Sequence, residues 1–296
     1  MHLDNLKQHK YLPYLILFFL ALVWGSSFIL IKKGLDSFSP LQVGTIRIIF
    51  AFLVLLPFAI RRIKNVFVLN WKKILVFGLI ANLVPAILYG FAQTGLSSSL
   101  TGILNSLTPI FTLLIGLLFF KTKLNKGQVL GLSFGFIGCT IISMVSSSGG
   151  LGDFNYFVLF VIVATVLYGI ATNLVKTYFM EIDSLTLTSL TFLAVGPIAI
   201  ILLLGTDFIS RMSSVDGAGL SLFYLFILGV VGTAFSLILF NRLIQITSAV
   251  FASTVTYLIP IAAIGWGLID GEVLFPLHFV GMGLIIGGVY TVNKFK

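Results

Sequence analysis

A chain of 296 residues that is 58% hydrophobic and only 9% charged, with a mean hydropathy of +1.14, falls outside the water-soluble globular class, in which about 25% of residues are charged. The formal charge of +9 would suggest nucleic acid in a soluble protein, but the basic residues here lie between apolar runs, where orientation in a bilayer accounts for them. The one cysteine, Cys139, sits inside an apolar run, so there is no disulfide framework and no metal-ligand pattern.

A spanning helix needs about 20 apolar residues, so the length accommodates about ten spans. The first five runs predict helices at about Leu12–Ile31, Leu41–Ile60, Ile74–Ala92, Leu100–Phe120 and Val129–Val145. The second five fall at about Tyr156–Val175, Leu185–Leu204, Leu220–Phe240, Ala249–Ile269 and Leu277–Val292. Lys7 and Lys10 before the first run resemble the start of a leader, but a run of that length followed by comparable segments reads as a retained span. Strands are excluded because the runs are long and not alternating, and an isolated spanning segment must satisfy its own backbone.

The stretch from Gly78 to Phe120 recurs from Gly229 to Gly271 without a gap, at an offset of 151 residues, which sets Leu107 on Leu258 and Pro109 on Pro260. At an offset of 144, Trp24-Gly25 matches Tyr168-Gly169 and Lys32 matches Lys176. One residue short of the 151-residue offset, at 150, Gly131 and Gly138 match Gly281 and Gly288. The expected architecture is an all-α integral membrane protein of ten transmembrane helices in two five-helix repeats, residues 1–147 and 148–296. An odd number of spans per repeat inverts the second copy relative to the first, as in many secondary transporters. With the N-terminus inside, fourteen Lys and Arg fall on the inner side and three outside, which predicts both termini in the cytoplasm.

Polar residues aligned on one helical face point to a protein-lined or water-lined surface. Asn82, Tyr89 and Gln93 share a face of the third span with Pro85, and Thr101, Asn105, Thr108 and Thr112 share one in the fourth. In the ninth span, Ser253, Thr256, Tyr257 and Pro260 fall at helical spacing. The primary amides offer donor and acceptor to a zwitterionic solute, whereas any single Ser or Thr is ordinarily interhelical glue. Pro85, Pro109 and Pro260 each remove a backbone donor, which makes them hinge or kink positions. Trp24 and Tyr168 lie well inside their runs, as cavity-lining or gating rings would, and Asn173 adds a polar group to the sixth span. Arg47 is the one formal charge placed within a span; it can contact an anionic group of a solute, snorkel, or bind helix-end carbonyls. Gly131, Gly135, Gly283 and Gly287 form small-residue patterns for close helix packing within or between subunits, a homodimer included.

Trp24-Gly25-Ser26-Ser27-Phe28, Arg47, Leu107 to Pro109, Leu258 to Pro260, Gly271-Glu272 and the glycines of the last span together resemble the EamA-type transporters of the drug/metabolite transporter superfamily. The resemblance covers both halves and implies a ten-helix, multi-pass protein of the cell (inner) membrane that moves small metabolites, often outward, without a cofactor or enzymatic activity. It also brings Ser27 among the candidate solute contacts. One departure is that Phe120-Lys121 stands where the family usually repeats the Gly-Glu pair. The reading is a secondary transporter of small polar or amphipathic metabolites such as amino acids, working by alternating access between the bilayer's two faces. The alternatives are a proton-coupled drug efflux transporter, which calls for a membrane-embedded Glu, a membrane enzyme, which calls for clustered His or acids, and a non-transporting scaffold.

Overall fold

The computed structural model describes residues 11–62, 68–120, 125–146, 148–247, 252 and 255–294. Among them the chain is helical, with no strand beyond an isolated bridge between Val145 and Leu151. The helices are α1 (Leu12–Leu35), α2 (Pro40–Ile60), α3 (Val68–Gly78), α4 (Val84–Ala92), α5 (Ser98–Asn105), α6 (Thr108–Phe120) and α7 (Lys126–Ser143). They continue as α8 (Val158–Tyr178), α9 (Ser184–Leu204), α10 (Phe208–Ser214), α11 (Ala218–Gly229), α12 (Ser236–Ile246), α13 (Val255–Ile269) and α14 (Pro276–Lys294). Eight apolar segments are long enough to cross a membrane, and two shorter ones, Leu258–Ile269 and Pro276–Val292, end the chain. The start expected for the ninth span at Ala249 lies outside the described residues.

Local chemistry sets the helix starts. Ser39 and Gln42 form a reciprocal capping box at α2, and Asn125 and Gln128 do the same at α7. Asp183, which is 144 residues beyond Ser39, caps α9 by accepting from the Thr186 amide.

The three expected kink positions behave differently. A π-helical stretch, Leu79–Leu83, joins α3 to α4 just before Pro85, and a turn at Ser106 and Leu107 separates α5 from α6 before Pro109. Pro260 instead lies inside α13, which runs on through it. The carbonyl that Pro260 leaves without its helical donor belongs to Thr256, and the Ser106 hydroxyl donates to it at 3.0 Å. A second π-helical stretch, Val230–Phe235, joins α11 to α12 without any proline. It begins 151 residues after the first one.

Packing is reciprocal about these offsets. Gly25 of α1 lies against Ala262 and Ala263 of α13, and Gly169 of α8 lies against Phe111 and Thr112 of α6. Those partners are again 151 residues apart. A Cβ at Gly169 would stand 2.9 Å from the Phe111 carbonyl carbon, so this crossing admits no side chain. The α7–α14 crossing is a close approach at glycines. A Cβ at Gly131 would meet the Gly288 carbonyl oxygen at 2.6 Å, and one at Gly138 the Gly281 oxygen at 2.5 Å. A Cβ at Gly288 would meet the Gly135 nitrogen at 2.8 Å, so Gly135 belongs to the same crossing, whereas Gly283 and Gly287 have no atom of this chain within 4 Å of a Cβ position. Two turns separate Gly281 from Gly288 and keep them on one face, and Gly283 and Gly287 fall outside it.

Candidate functional site

A cavity of about 240 Å³ lies among α1 to α6, α8, α9, α12, α13 and the two π-helical stretches. Trp24, Ser27, Asn82, Tyr89, Asn105, Tyr168 and Thr256 line it, together with Pro109, Thr108, Thr112 and Arg47. Gln93, Asn173, Pro85 and Pro260 do not.

Two aromatic pairs shape the wall. The Trp24 and Phe240 rings are 5.0 Å apart and tilted by 59°, and the Tyr168 and Tyr89 rings are 6.1 Å apart at 24°. Trp24 corresponds to Tyr168 at the 144-residue offset and Tyr89 to Phe240 at 151, so each pair joins one position from each half. The hydrogen bonds differ between the pairs. The Trp24 indole Nε1 donates to the Gly232 carbonyl within the second π-helical stretch at 3.1 Å. The Tyr89 hydroxyl donates to Asn105 Oδ1 at 2.5 Å, next to the break before Pro109. A π-helical turn disturbs the regular ladder of backbone bonds, and the indole supplies Gly232 with a donor.

Among the described residues, Arg47 is the one formal charge on the cavity wall. Its Nε and Nη2 donate to Thr233 Oγ1 at 3.2 and 3.1 Å, and that hydroxyl donates in turn to the Leu228 carbonyl at 2.9 Å. No ion pair of Arg47 occurs among the described residues. Thr233 lies 151 residues beyond Asn82, so the two π-helical stretches present an amide and a hydroxyl at corresponding places.

The ion pairs among the described residues all lie away from the cavity. At one end of the bundle, Glu272 accepts from Lys32 Nζ at 2.9 Å, from the Ser98 amide and hydroxyl at 2.8 Å each, and from the Ser99 amide at 3.0 Å. Asp270 bridges Lys32 and Lys33 at 2.7 and 2.6 Å. Burial pushes the Glu272 carboxyl up, but the bonds from Ser99, Lys32 and Ser98 outweigh it and hold the group at about 2. Hydrogen bonds from Lys32 and Lys33 likewise hold Asp270 below the usual carboxylate range. At the opposite end, Arg62 pairs with Asp183 at 2.8 Å and also donates to the Thr186 hydroxyl. Among the described residues no group of three His, Cys, Asp or Glu converges as a metal site would require.

Gln93 and Asn173 depart from the expected cavity face. Gln93 is buried at the C-terminal end of α4, and neither of its side-chain polar atoms has a hydrogen-bond partner. Asn173 Nδ2 donates to the Thr112 carbonyl at 3.0 Å and to the Gly169 carbonyl at 2.9 Å, which ties α8 to α6. The Tyr257 side chain and Ser253 lie outside the described residues. The cavity also includes Thr188, Thr191, Thr233, Phe240 and Asn241, none of which stood out in the sequence. The repeat offset carries Asn82 to Thr233 and Tyr89 to Phe240, and that signal could have found those two.

The family model described as the EamA-like transporter family matches residues 12–144 and 155–294. An uncharacterized transporter of Archaeoglobus fulgidus is 25% identical, over 92% of this chain and 95% of its own. The uncharacterized inner membrane transporter YedA of Escherichia coli K12 is 24% identical, over 95% and 90%. A Salmonella typhimurium protein described as a probable amino-acid metabolite efflux pump is 28% identical over 44% of each chain. A solved structure titled only as the crystal structure of a protein superposes with a TM-score of 0.64 over 94% of this chain and 95% of its own, at 15% identity. That likeness concerns the fold alone.

Proposed function

The chain belongs to the EamA-like transporter family, and from that premise we propose that it is a secondary transporter which carries small polar or amphipathic metabolites, amino acids and their relatives among them, by alternating access. It is a multi-pass membrane protein whose relatives are named transporters. The observation that carries the reading is the cavity with Arg47 and two aromatic pairs on its wall, the pairs drawn from corresponding positions of the two halves. Cavities at the interface of inverted repeats, beside interrupted helices, are where secondary transporters hold their solutes.

In this proposal residues 1–147 and 148–296 are inverted five-helix repeats, and the ten spans leave both termini in the cytoplasm. Trp24, Asn82, Tyr89, Asn105, Tyr168 and Thr256 contact the solute, and Arg47 meets its anionic group. The Arg62 end of the bundle faces the cytoplasm. The name of the Salmonella relative supports amino-acid metabolites and outward movement. Proton-coupled drug efflux is the weaker reading, because no Asp or Glu lines the cavity.

The test is transport by the purified protein in proteoliposomes with a panel of labelled amino acids and related carboxylates. Cysteines at Asn82 and Asn105 in a Cys139→Ala background should react with small water-soluble thiol reagents, and a transported solute should slow them. Inert cysteines at both positions, with reactive loop controls, would remove the cavity reading. Reporter fusions after residue 124 should report the cytoplasm and fusions after Ser98 the outside; the reverse pattern would overturn the orientation.

A further inference from the structure

The cavity carries a charge imbalance that narrows what it can hold. Every acidic residue of the sequence except Asp4 is among the described residues, and none of them lines the cavity. Arg47 is met by the neutral Thr233 hydroxyl at 3.1 and 3.2 Å, while Asp270 and Glu272 are committed to Lys32 and Lys33. A guanidinium taken out of water without a counterion is costly, and a carboxylate matches its fork of donors. An ammonium on the same solute would meet only hydroxyls, amides and ring faces, which compensate a desolvated charge less than a carboxylate does. The Trp24–Phe240 and Tyr89–Tyr168 pairs offer contact to an apolar body.

Resting on the transport reading above, we propose that the cavity selects solutes with one carboxylate, no ammonium and an apolar body over zwitterionic amino acids and over cations, and that each cycle moves one net negative charge across the membrane. The arginine keeps its proton at any working pH, and no carboxylate in the cavity can carry one across to cancel the solute's charge. In a cell with a negative interior, the membrane potential then drives the anion outward without a coupling ion.

The experiment uses the full chain in proteoliposomes with equal pH on both sides. Valinomycin and a tenfold potassium gradient make the lumen positive. The probes are labelled 4-methyl-2-oxopentanoate and leucine, which share a carbon skeleton and differ in the ammonium. The oxo acid should accumulate about tenfold under the potential and only equilibrate without it, as a singly charged anion does. Leucine should enter at least about tenfold more slowly, at a rate indifferent to the potential. Arg47→Lys should keep the electrical response, and Arg47→Gln should lose the preference for the oxo acid. Faster entry of leucine, or an oxo-acid plateau that follows an imposed pH difference and not the potential, overturns this proposal and leaves the transport reading standing. Entry of neither probe or of any panel solute, with a protein that still melts cooperatively, overturns both.

Discussion

At the Lys32 end of the bundle, Glu272 gathers hydrogen bonds from Lys32, Ser98 and Ser99, and Asp270 joins Lys32 to Lys33. The offsets of 144 and 151 residues lead from these positions to Lys176 for Lys32, Lys121 for Glu272, and Ala249 and Val250 for Ser98 and Ser99. Lys33 and Asp270 lead likewise to Thr177 and Phe119, so an acid–base cluster at one set of positions is two lysines, a threonine and three apolar residues at the other. On α1 and α8 the cavity stops at matched residues, Ile31 and Val175. Thr188, Asn241 and Ile244 line it towards the Arg62 end, but their counterparts Gly44, Gly90 and Gln93 do not line it. Residues at matched offsets sit on matched helices, and a handful of unmatched side chains make the two ends different.

The largest expected effect comes from breaking the Lys32 end. Glu272→Ala leaves the Ser98 and Ser99 amides without their acceptor while Lys32 keeps Asp270, and a buried donor left unsatisfied costs about 1–3 kcal/mol. The Glu272 side chain is only 4% exposed, so solvent offers little replacement. A cysteine at Phe28 in a Cys139→Ala background should then react about 100-fold faster with an impermeant thiol reagent applied from the Lys32 side. An unchanged rate would mean that this cluster does not close that end. Glu272→Gln keeps acceptor capacity for the Ser98 and Ser99 amides, so it should open the end less and leave substantial transport.

A comparison of Gly25→Val with Gly169→Val sharpens the contrast, because these glycines sit at matched crossings. Each added side chain meets atoms of the facing helix, and overpacking of this kind costs about 1–3 kcal/mol. Thermal melts should fall similarly for both. A drop confined to one variant would mean that the scaffold, and not only the ionic cluster, is asymmetric.

Acid provides a gentler probe of the same cluster. Glu272 lies at about 2, below its ordinary 4.5, so its stabilisation is complete above the ordinary value and is lost as pH falls through the lowered one. Closure at the Lys32 end, followed by labelling of the same cysteine, should stay flat from about pH 8 to about pH 5 and weaken only in stronger acid. A transition near neutrality would contradict the assignment. The smallest effect belongs to the Arg62 end. Asp183 and Arg62 are 61% and 39% exposed, so Asp183→Asn should change stability by less than about 1 kcal/mol, measured by melting. Asparagine can still accept the Thr186 amide as the cap of α9.

Much of this molecule was legible in its residues, and what escaped has identifiable causes. Trp24, Tyr89, Asn82, Asn105 and Tyr168 stood out as polar or large aromatic groups inside apolar runs, and all of them line the cavity. Thr188, Thr191 and Thr233 did not, because a threonine in a membrane helix usually bonds its own backbone, as Thr191 does with the Leu187 carbonyl. Gln93 shared the spacing of Asn82 and Tyr89, but it lies at the helix end, away from the cavity wall. Asn173 turned to two backbone carbonyls of α6 and α8. The π-helical stretch at Val230–Phe235 carried no proline to announce it.

By itself, the sequence determined where the apolar helical segments lie and how long they run. Those features follow from the bilayer's demand that each span satisfy its own backbone within a length of apolar residues. The tertiary structure decided which polar groups share the cavity, that Arg47 rests on Thr233, and that the acids of the last loop are spent on Lys32 and Lys33. Helices in lipid gain little from burying apolar groups against one another. Which faces meet is therefore settled by close approaches at glycine and by hydrogen bonds between residues far apart in the chain, and helical spacing within one span cannot encode either.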